Sequence, residues 1–386
     1  MSPSRLSPIA LALALAACGG STPPPAAPAA GTDTTAATAA APAEDKVLNV
    51  YNWSDYVAED TIARFEQETG IKVVYDVYDS NEMLEAKLTA GSSGYDVVFP
   101  SARPFAQRHI QSKLYRELDR SKLPNWGNLS PAVLAALQDV DPGNAHLIPY
   151  MWGTTGLGYN VAKVRERLGD AQALDSWSLL FDPAIVAKLK DCGVGVLDDQ
   201  QEGFASALIF LGKDPNGVGG GEIDAVKAAF APVRPFIRYF NSSKYIDDLA
   251  NGEICLAMGY NGDVLQARDR AEEAGNDIEI AFTLPREGAV RWVDSAAIPA
   301  DAPHPGNAHA FLDFLMRPDV IAPITNYVSY ANANAKATAL VDKEIVEDTG
   351  IYPPDEVAAK LVDPRTLPDD ENRARERAWT SIKSGN

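Results

Sequence analysis

Three short strings set an aromatic ring beside a carboxylate: Asn52-Trp53-Ser54-Asp55-Tyr56, Gly259-Tyr260-Asn261-Gly262-Asp263 and Trp292-Val293-Asp294. A cation over a ring face gains about 0.5–2 kcal/mol from the ring quadrupole. A carboxylate supplies the anionic partner without which a buried cation is too costly. Together they suit an organic ammonium group. If its segment is a strand, Trp292 shares a face with Asp294, because side chains alternate. Taken singly, each string reads better as a core aromatic next to a helix start, since Asp55 and Asp263 precede or open expected helices. Three of them in one chain move the reading toward a cation-binding cleft.

Other chemistries lack their residues. The four histidines, His109, His146, His304 and His309, are not spaced as a zinc pair on a helix. There is no G-x-S-x-G elbow and no phosphate-binding G-x-x-x-x-G-K-[ST] loop. The Gly-rich runs 153–158 and 217–221 do not fit a dinucleotide fingerprint; the first reads as a tight backbone crossing and the second as a surface loop. With 53 acidic residues, accidental carboxylate pairs are expected, so a glycosidase-like pair carries little weight. The reading is a binding protein, with no catalytic residue, no metal and no cofactor.

The elements that would position these strings alternate. Val47–Trp53, Lys72–Tyr78 and Tyr95–Ser101 are short, rich in Val and aromatics, and bounded by polar or Gly residues, as strands are. Between them, Asp60–Gly70 and Asn81–Gly91 carry apolar residues at helical spacing and stop at Gly. A second set follows, with strands expected at Cys192–Leu197, Ile254–Tyr260, Ile278–Leu284 and Trp292–Ala300. Its helices are expected at Glu202–Lys213, Ile223–Val233, Asp263–Ala274, Ala308–Met316 and Asp319–Tyr327. This is an α/β pattern with parallel sheets. Two such sets suggest two lobes, with a ligand cleft at the carboxyl ends of strands.

The first 45 residues read differently. Arg5 precedes an apolar run from Leu6 to Ala17, too short to span a bilayer and matching the core of an export signal. The run ends Leu15-Ala16-Ala17-Cys18, which resembles the lipobox of bacterial lipoproteins, whose Cys is lipidated; an ordinary export signal that contains a Cys is the alternative. Residues 19–45 are rich in Ala, Pro and Thr, with only Asp33, Glu44 and Asp45 charged, as in a tether. A lipid, a tether and a globular body would work in water while held at a membrane by the anchor alone. No run of some 20 apolar residues follows.

The 386 residues carry 34 Lys+Arg and 53 Asp+Glu, a net charge of −19. Nucleic-acid binding, which needs clustered Lys and Arg, is not expected. If Cys18 carries lipid, Cys192 and Cys255 remain. In an oxidising compartment an even pair is naturally a disulfide; two buried thiols are the alternative.

Long strings carry a resemblance. NVYNWSDYVAEDTIARFEQETGIKVVYDVYDSNEMLEAKL from Asn49, IPYMWGTTGLGYNV from Ile148, YIDDLANGEICLAMGY from Tyr245, SYANANAKAT from Ser329 and GIYPPDEVAAKL from Gly350 resemble the polyamine-binding periplasmic proteins of ABC transporters, most of all their putrescine-binding branch. The likeness spans nearly all of residues 46–386. It implies a type II periplasmic-binding-protein fold, two α/β lobes around a ligand cleft, with 46–150 and 275–318 expected in one lobe and 151–274 and 319–386 in the other. It implies a diamine held between aromatic walls and carboxylates. Carried over by position, Trp53, Ser54, Asp55 and Tyr56 match a cleft turn, and Ser101 a cleft serine. Glu202, with Asp199 just before it, matches an acid at a helix start. Asp263 and Asp294 match the carboxylates that anchor one amine, Trp292 and Tyr330 match ring walls, and Cys192 and Cys255 match a disulfide of the putrescine branch. Two departures stand out. Tyr260 and Trp292 stand where the branch has Trp and Phe, and Asp199 stands where it has a small apolar residue. An extra carboxylate there could receive a further amine, as in spermidine binders. The expected partners are putrescine or a related polyamine and an inner-membrane ABC permease. The expected protein is a periplasmic, lipid-anchored monomer; a spermidine-preferring or broader polyamine binder, or a polyamine sensor without a transport role, is the alternative.

Overall fold

The computed structural model describes residues 44–385. The export segment, Cys18 and most of the tether lie outside the described residues. The described chain packs from Glu44 onward, two residues earlier than the expected start of the body. The Glu44 carboxylate accepts hydrogen bonds from the backbone N–H groups of Gly306 (2.8 Å) and Asn307 (3.0 Å), at the start of the helix Pro305–Leu315. A carboxylate there meets unpaired N–H groups and the positive end of the helix dipole together.

The described residues hold an eleven-stranded sheet: β1 (Val47–Trp53), β2 (Lys72–Tyr78), β3 (Val97–Val98), β4 (Leu147–Asn160), β5 (Val194–Val196), β6 (Tyr239–Phe240), β7 (Leu256–Tyr260), β8 (Ile280–Thr283), β9 (Ala289–Ala297), β10 (Ala331–Asn332) and β11 (Leu361–Val362). The order is β2-β1-β3-β9-β4-β7-β5-β6, with β8 and β10 also on β4 and β11 on β9. β1 runs parallel to β2 and β3, and β5 parallel to β6 and β7. The first is the expected set; of the four strands expected in the second, only β5 and β7 belong to it, joined by the unexpected β6, because β8 and β9 pair antiparallel with the long β4. The antiparallel strands β4 and β9 stand between the two sets. β1 and β2 fall on the expected residues, and the first helix, Thr61–Thr69, ends at Gly70 in the left-handed conformation (φ 69°).

The 14-residue β4 replaces the tight crossing expected at 153–158. Leu147–Thr155 pairs with β9, and Thr155–Tyr159 pairs with β7, so one strand serves both sets. Its glycines are where other side chains come closest. A Cβ on Gly153 would lie 2.5 Å from Asn261 Oδ1 and 2.6 Å from the Trp292 ring, and one on Gly158 would lie 2.5 Å from Val264. Almost every residue of β4 is buried, so the strand shows no polar alternation.

Two groups of apolar cores flank this junction. Leu48, Val50, Phe65, Phe99 and Phe311 pack on one face of the first set, and Tyr51, Tyr78 and Leu84 on its other face. Trp177, Phe181, Val194, Phe204, Leu256 and Trp379 form the core of the second set. The cores divide the chain differently from the expected lobe boundaries. Val320, Ile321 and Ile324, assigned above to the second lobe, lie in the first core, and Ile280, assigned to the first, lies in the second. The reason is sheet pairing: β8 hydrogen-bonds to residues 157–160 of β4, beyond the crossing. Among the described residues after 318, only the C-terminal helix Asp369–Ser384, through Ala378, Trp379 and Ile382, returns to the second core.

Cys192 and Cys255 are disulfide-bonded, with a Cα–Cα distance of 5.4 Å, inside the second core. Among the described residues no helix is long and apolar enough to cross a membrane.

Candidate functional site

Several strands end at one cleft. Trp53 ends β1, Tyr78 ends β2, Ser101 follows β3, Asp199 follows β5 and Tyr260 ends β7. These carboxyl ends, with Trp292 and Asp294 of β9 and Tyr330 before β10, wall a space of about 670 Å³ counting its mouth. Of the twelve ligand-binding residues expected from sequence, Trp53, Ser54, Tyr56, Ser101, Asp199, Glu202, Tyr260, Asp263, Trp292, Asp294 and Tyr330 line it.

Asp55 is the one that does not. It has a left-handed backbone (φ 53°), so its side chain leaves the face that its neighbours share. It accepts a hydrogen bond from Arg270 Nη2 at 2.6 Å, and Arg270 Nη1 also donates to Asp247 at 2.8 Å. Arg270 lies two turns beyond Asp263 on the helix Asn261–Glu273. Asp55 therefore pairs with the second set of elements instead of lining the cleft.

The cleft carboxylates are held by hydroxyl donors. Asp294 accepts from Ser101 Oγ (2.6 Å) and Tyr56 OH (2.9 Å). Asp263 accepts from Tyr330 OH (2.6 Å) and Tyr245 OH (2.7 Å). Asp199 caps the helix Gln200–Phe210 by accepting from Glu202 N–H (3.0 Å) and also takes the Tyr260 OH (3.2 Å). Burial lifts Asp294 to about 7 and Asp263 to about 6 although these hydrogen bonds oppose the shift. Burial, reinforced by the Asp199 charge, raises Glu202 well above the ordinary carboxylate range. Desolvation disfavours the charged form, and nearby carboxylates add to it.

Rings complete the walls. Trp292 meets Tyr260 and Tyr330 edge to face, with centroids 5.6 and 5.2 Å apart. Trp53 lies 4.8 Å from Tyr78, and both donate to the Phe99 carbonyl, at 2.9 and 2.5 Å. Such a pocket offers ring faces to methylenes and carboxylates to ammonium groups. Sequence reasoning missed Tyr78, Asn81, Phe105, Gln201 and Tyr245. Tyr78 was findable, because it ends a strand read correctly and ligands lie at strand ends. Asn81 lines the wall and holds Ser101 through two 3.0 Å hydrogen bonds, which no local signal announces. Among the described residues no group of three or more His, Cys, Asp or Glu is arranged to hold a metal ion.

Residues 60–353 match the bacterial extracellular solute-binding protein family. The putrescine-binding periplasmic protein SpuD of Pseudomonas aeruginosa is 52% identical over 346 residues, 90% of this chain and 94% of that one. The putrescine-binding periplasmic protein PotF of Escherichia coli is 52% identical over 344 residues, 89% of this chain and 93% of that one. The structure of the spermidine/putrescine ABC transporter substrate-binding protein PotD of Streptococcus pneumoniae superposes with a TM-score of 0.69 at 25% identity, covering 88% of this chain and 99% of that one. The type II binding-protein fold and the absence of an enzymatic role in these relatives follow together.

Proposed function

The chain belongs to the bacterial extracellular solute-binding protein family, and on that premise we propose that it binds putrescine in the periplasm and delivers it to an inner-membrane ABC permease. The observation that carries this reading is one cleft in which Asp199, Glu202, Asp263 and Asp294 stand among Trp53, Tyr260, Trp292 and Tyr330. A dication with a short apolar linker matches both kinds of surface: the carboxylates take its ends and the rings take its methylenes. Iron would instead want clustered tyrosinate and carboxylate oxygens. The relatives at 52% identity are both named for putrescine. Calorimetric titration of the purified protein with putrescine, spermidine, cadaverine and agmatine tests the reading; no heat from any of the four overturns it.

Asp199 favours a second reading within the same class. It adds a carboxylate beside Glu202, so a longer polyamine gains an anchor there. Asp199→Ala then lowers spermidine affinity more than putrescine affinity.

Binding closes the two lobes over the ligand, and the permease recognises the closed form. The Asp55–Arg270–Asp247 ion pairs support this, because they link the turn after β1 to the helix that carries Asp263. Arg270, Asp55 and Asp247 are 31%, 37% and 71% exposed, so the pairs are screened by solvent and worth about 0.2–1 kcal/mol. Arg270→Ala is expected to weaken putrescine binding by at most about fivefold, with the loss shrinking at high salt. Unchanged affinity at low salt would remove these pairs from the closure mechanism. The protein acts as a monomer, and a lipid on Cys18 followed by the tether holds it at the membrane; Cys18→Ser releases it to the soluble fraction.

A further inference from the structure

Asp199, Glu202 and Asp294 have carboxylates and no cation as their charged neighbours, and Arg103, which also lines the cleft, pairs with Asp139. Asp199, Glu202 and Asp294 are only 6%, 5% and 5% exposed. Glu202 Oε2 is buried without a hydrogen-bond partner. An ionised carboxylate there gives up its water and leaves this oxygen unpaired, a loss that the Thr155 hydroxyl does not offset, so the neutral acid is the favoured form.

We infer that the cleft carries protons before ligand arrives and that a dicationic ligand displaces them, so that polyamine binding releases protons to solvent. The inference rests on the polyamine reading above.

Each acid's surroundings support it. Glu202, in the first turn of its helix, faces Asp199 at the N-cap, Thr155 from β4 and Asp294 from β9. Asp294 faces the hydroxyls of Tyr56 and Ser101 and the carboxylates of Asp199 and Asp263. Asp199 faces Asp198, the Tyr260 hydroxyl and the backbone N–H groups of Gln201 and Glu202. Glu82, on the helix Asn81–Thr89, faces Asp199, Glu85 and Glu376, and its Oε2 is likewise buried and unpartnered. Asp263 is the exception: Arg270 acts on it, together with Asp55 and the hydroxyls of Tyr330 and Tyr245. Burial raises the phenols of Tyr56, Tyr245, Tyr260 and Tyr330, so they stay neutral and donate. Glu82 is pushed up to about 8, mainly by burial and then by Asp199.

An ammonium set among these acids supplies the missing positive charge and lowers their proton affinity. Each carboxyl O–H that ionises passes its proton to buffer, while the ammonium keeps its own protons. The total charge of the site and its surroundings balances.

The test is calorimetric titration with putrescine at pH 7 in phosphate, HEPES and Tris, whose ionisation enthalpies differ. The expected result is an apparent binding enthalpy that varies linearly with buffer ionisation enthalpy. The slope should correspond to release of about one proton per putrescine. Affinity should fall as the pH is lowered from 8 to 6. Glu202→Gln should lower the slope, and Glu82→Gln, outside the cleft wall, should lower it while keeping binding. Binding with the same enthalpy in all three buffers overturns proton release and leaves the polyamine reading standing. No binding in any buffer overturns both.

Discussion

Asp294→Asn should lower putrescine affinity by about 30-fold to several-thousand-fold. The carboxylate is 5% exposed and already engaged by Ser101 and Tyr56. An ammonium that docks against it has shed its water, and asparagine leaves that charge under-compensated. Losing one partner of such a desolvated pair costs about 2–5 kcal/mol. Asp263→Asn should act in the same direction, with its effect tempered because Asp263 is less deeply buried and sits near Arg270. The same substitution separates binding from folding. Asp294 titrates at about 7 in the folded protein, above its ordinary value of 3.8. A group raised in this way favours folding below its unfolded pKa, and that contribution is lost as pH rises through about 7. The ligand-free parent should therefore lose thermal stability between pH 5 and 8, and Asp294→Asn should lose less. Titration of the variant with putrescine, with melting curves at both pH values, checks both parts. Parent-like affinity in Asp294→Asn and Asp263→Asn alike would remove these carboxylates from the site.

The second large effect concerns stability alone. Replacing Cys192 and Cys255 by Ala should destabilise the protein by about 2–4 kcal/mol. The bridge closes a separation of 63 residues and joins the approach to β5 with the residue before β7. Cross-linking so long a loop removes many conformations from the unfolded chain, and that restriction is the main source of the gain. Both sulfurs also lie in the second core, so the substitution costs some packing as well. Urea unfolding under non-reducing conditions measures the difference as a shift in midpoint. An unshifted midpoint would mean that the bridge does not stabilise this fold.

Some of this was written in the sequence. β1, β2 and the helix stop at Gly70 were legible because their signals are local: a Val and aromatic run, a helical period, a glycine that takes a left-handed turn. The aromatic–acid strings were legible because a cation needs both residue types close together. β4 was not legible, because a strand buried on both faces shows no alternation and its glycines read as a tight backbone crossing. The lobe of residues 319–341 was not legible either, since core partners such as Leu48, Val50 and Phe65 lie far away in the chain. Asp55 shows the limit most clearly. Residue type and position set it beside Trp53 and Tyr56, and all three would serve a cation. One left-handed turn aims its carboxylate at Arg270, 215 residues further along the chain, while Trp53, Ser54 and Tyr56 keep the cleft. Sequence determined which chemistry this protein carries. Tertiary structure decided which carboxylates face the cleft, because the direction of a side chain depends on backbone angles and distant partners that no short string records.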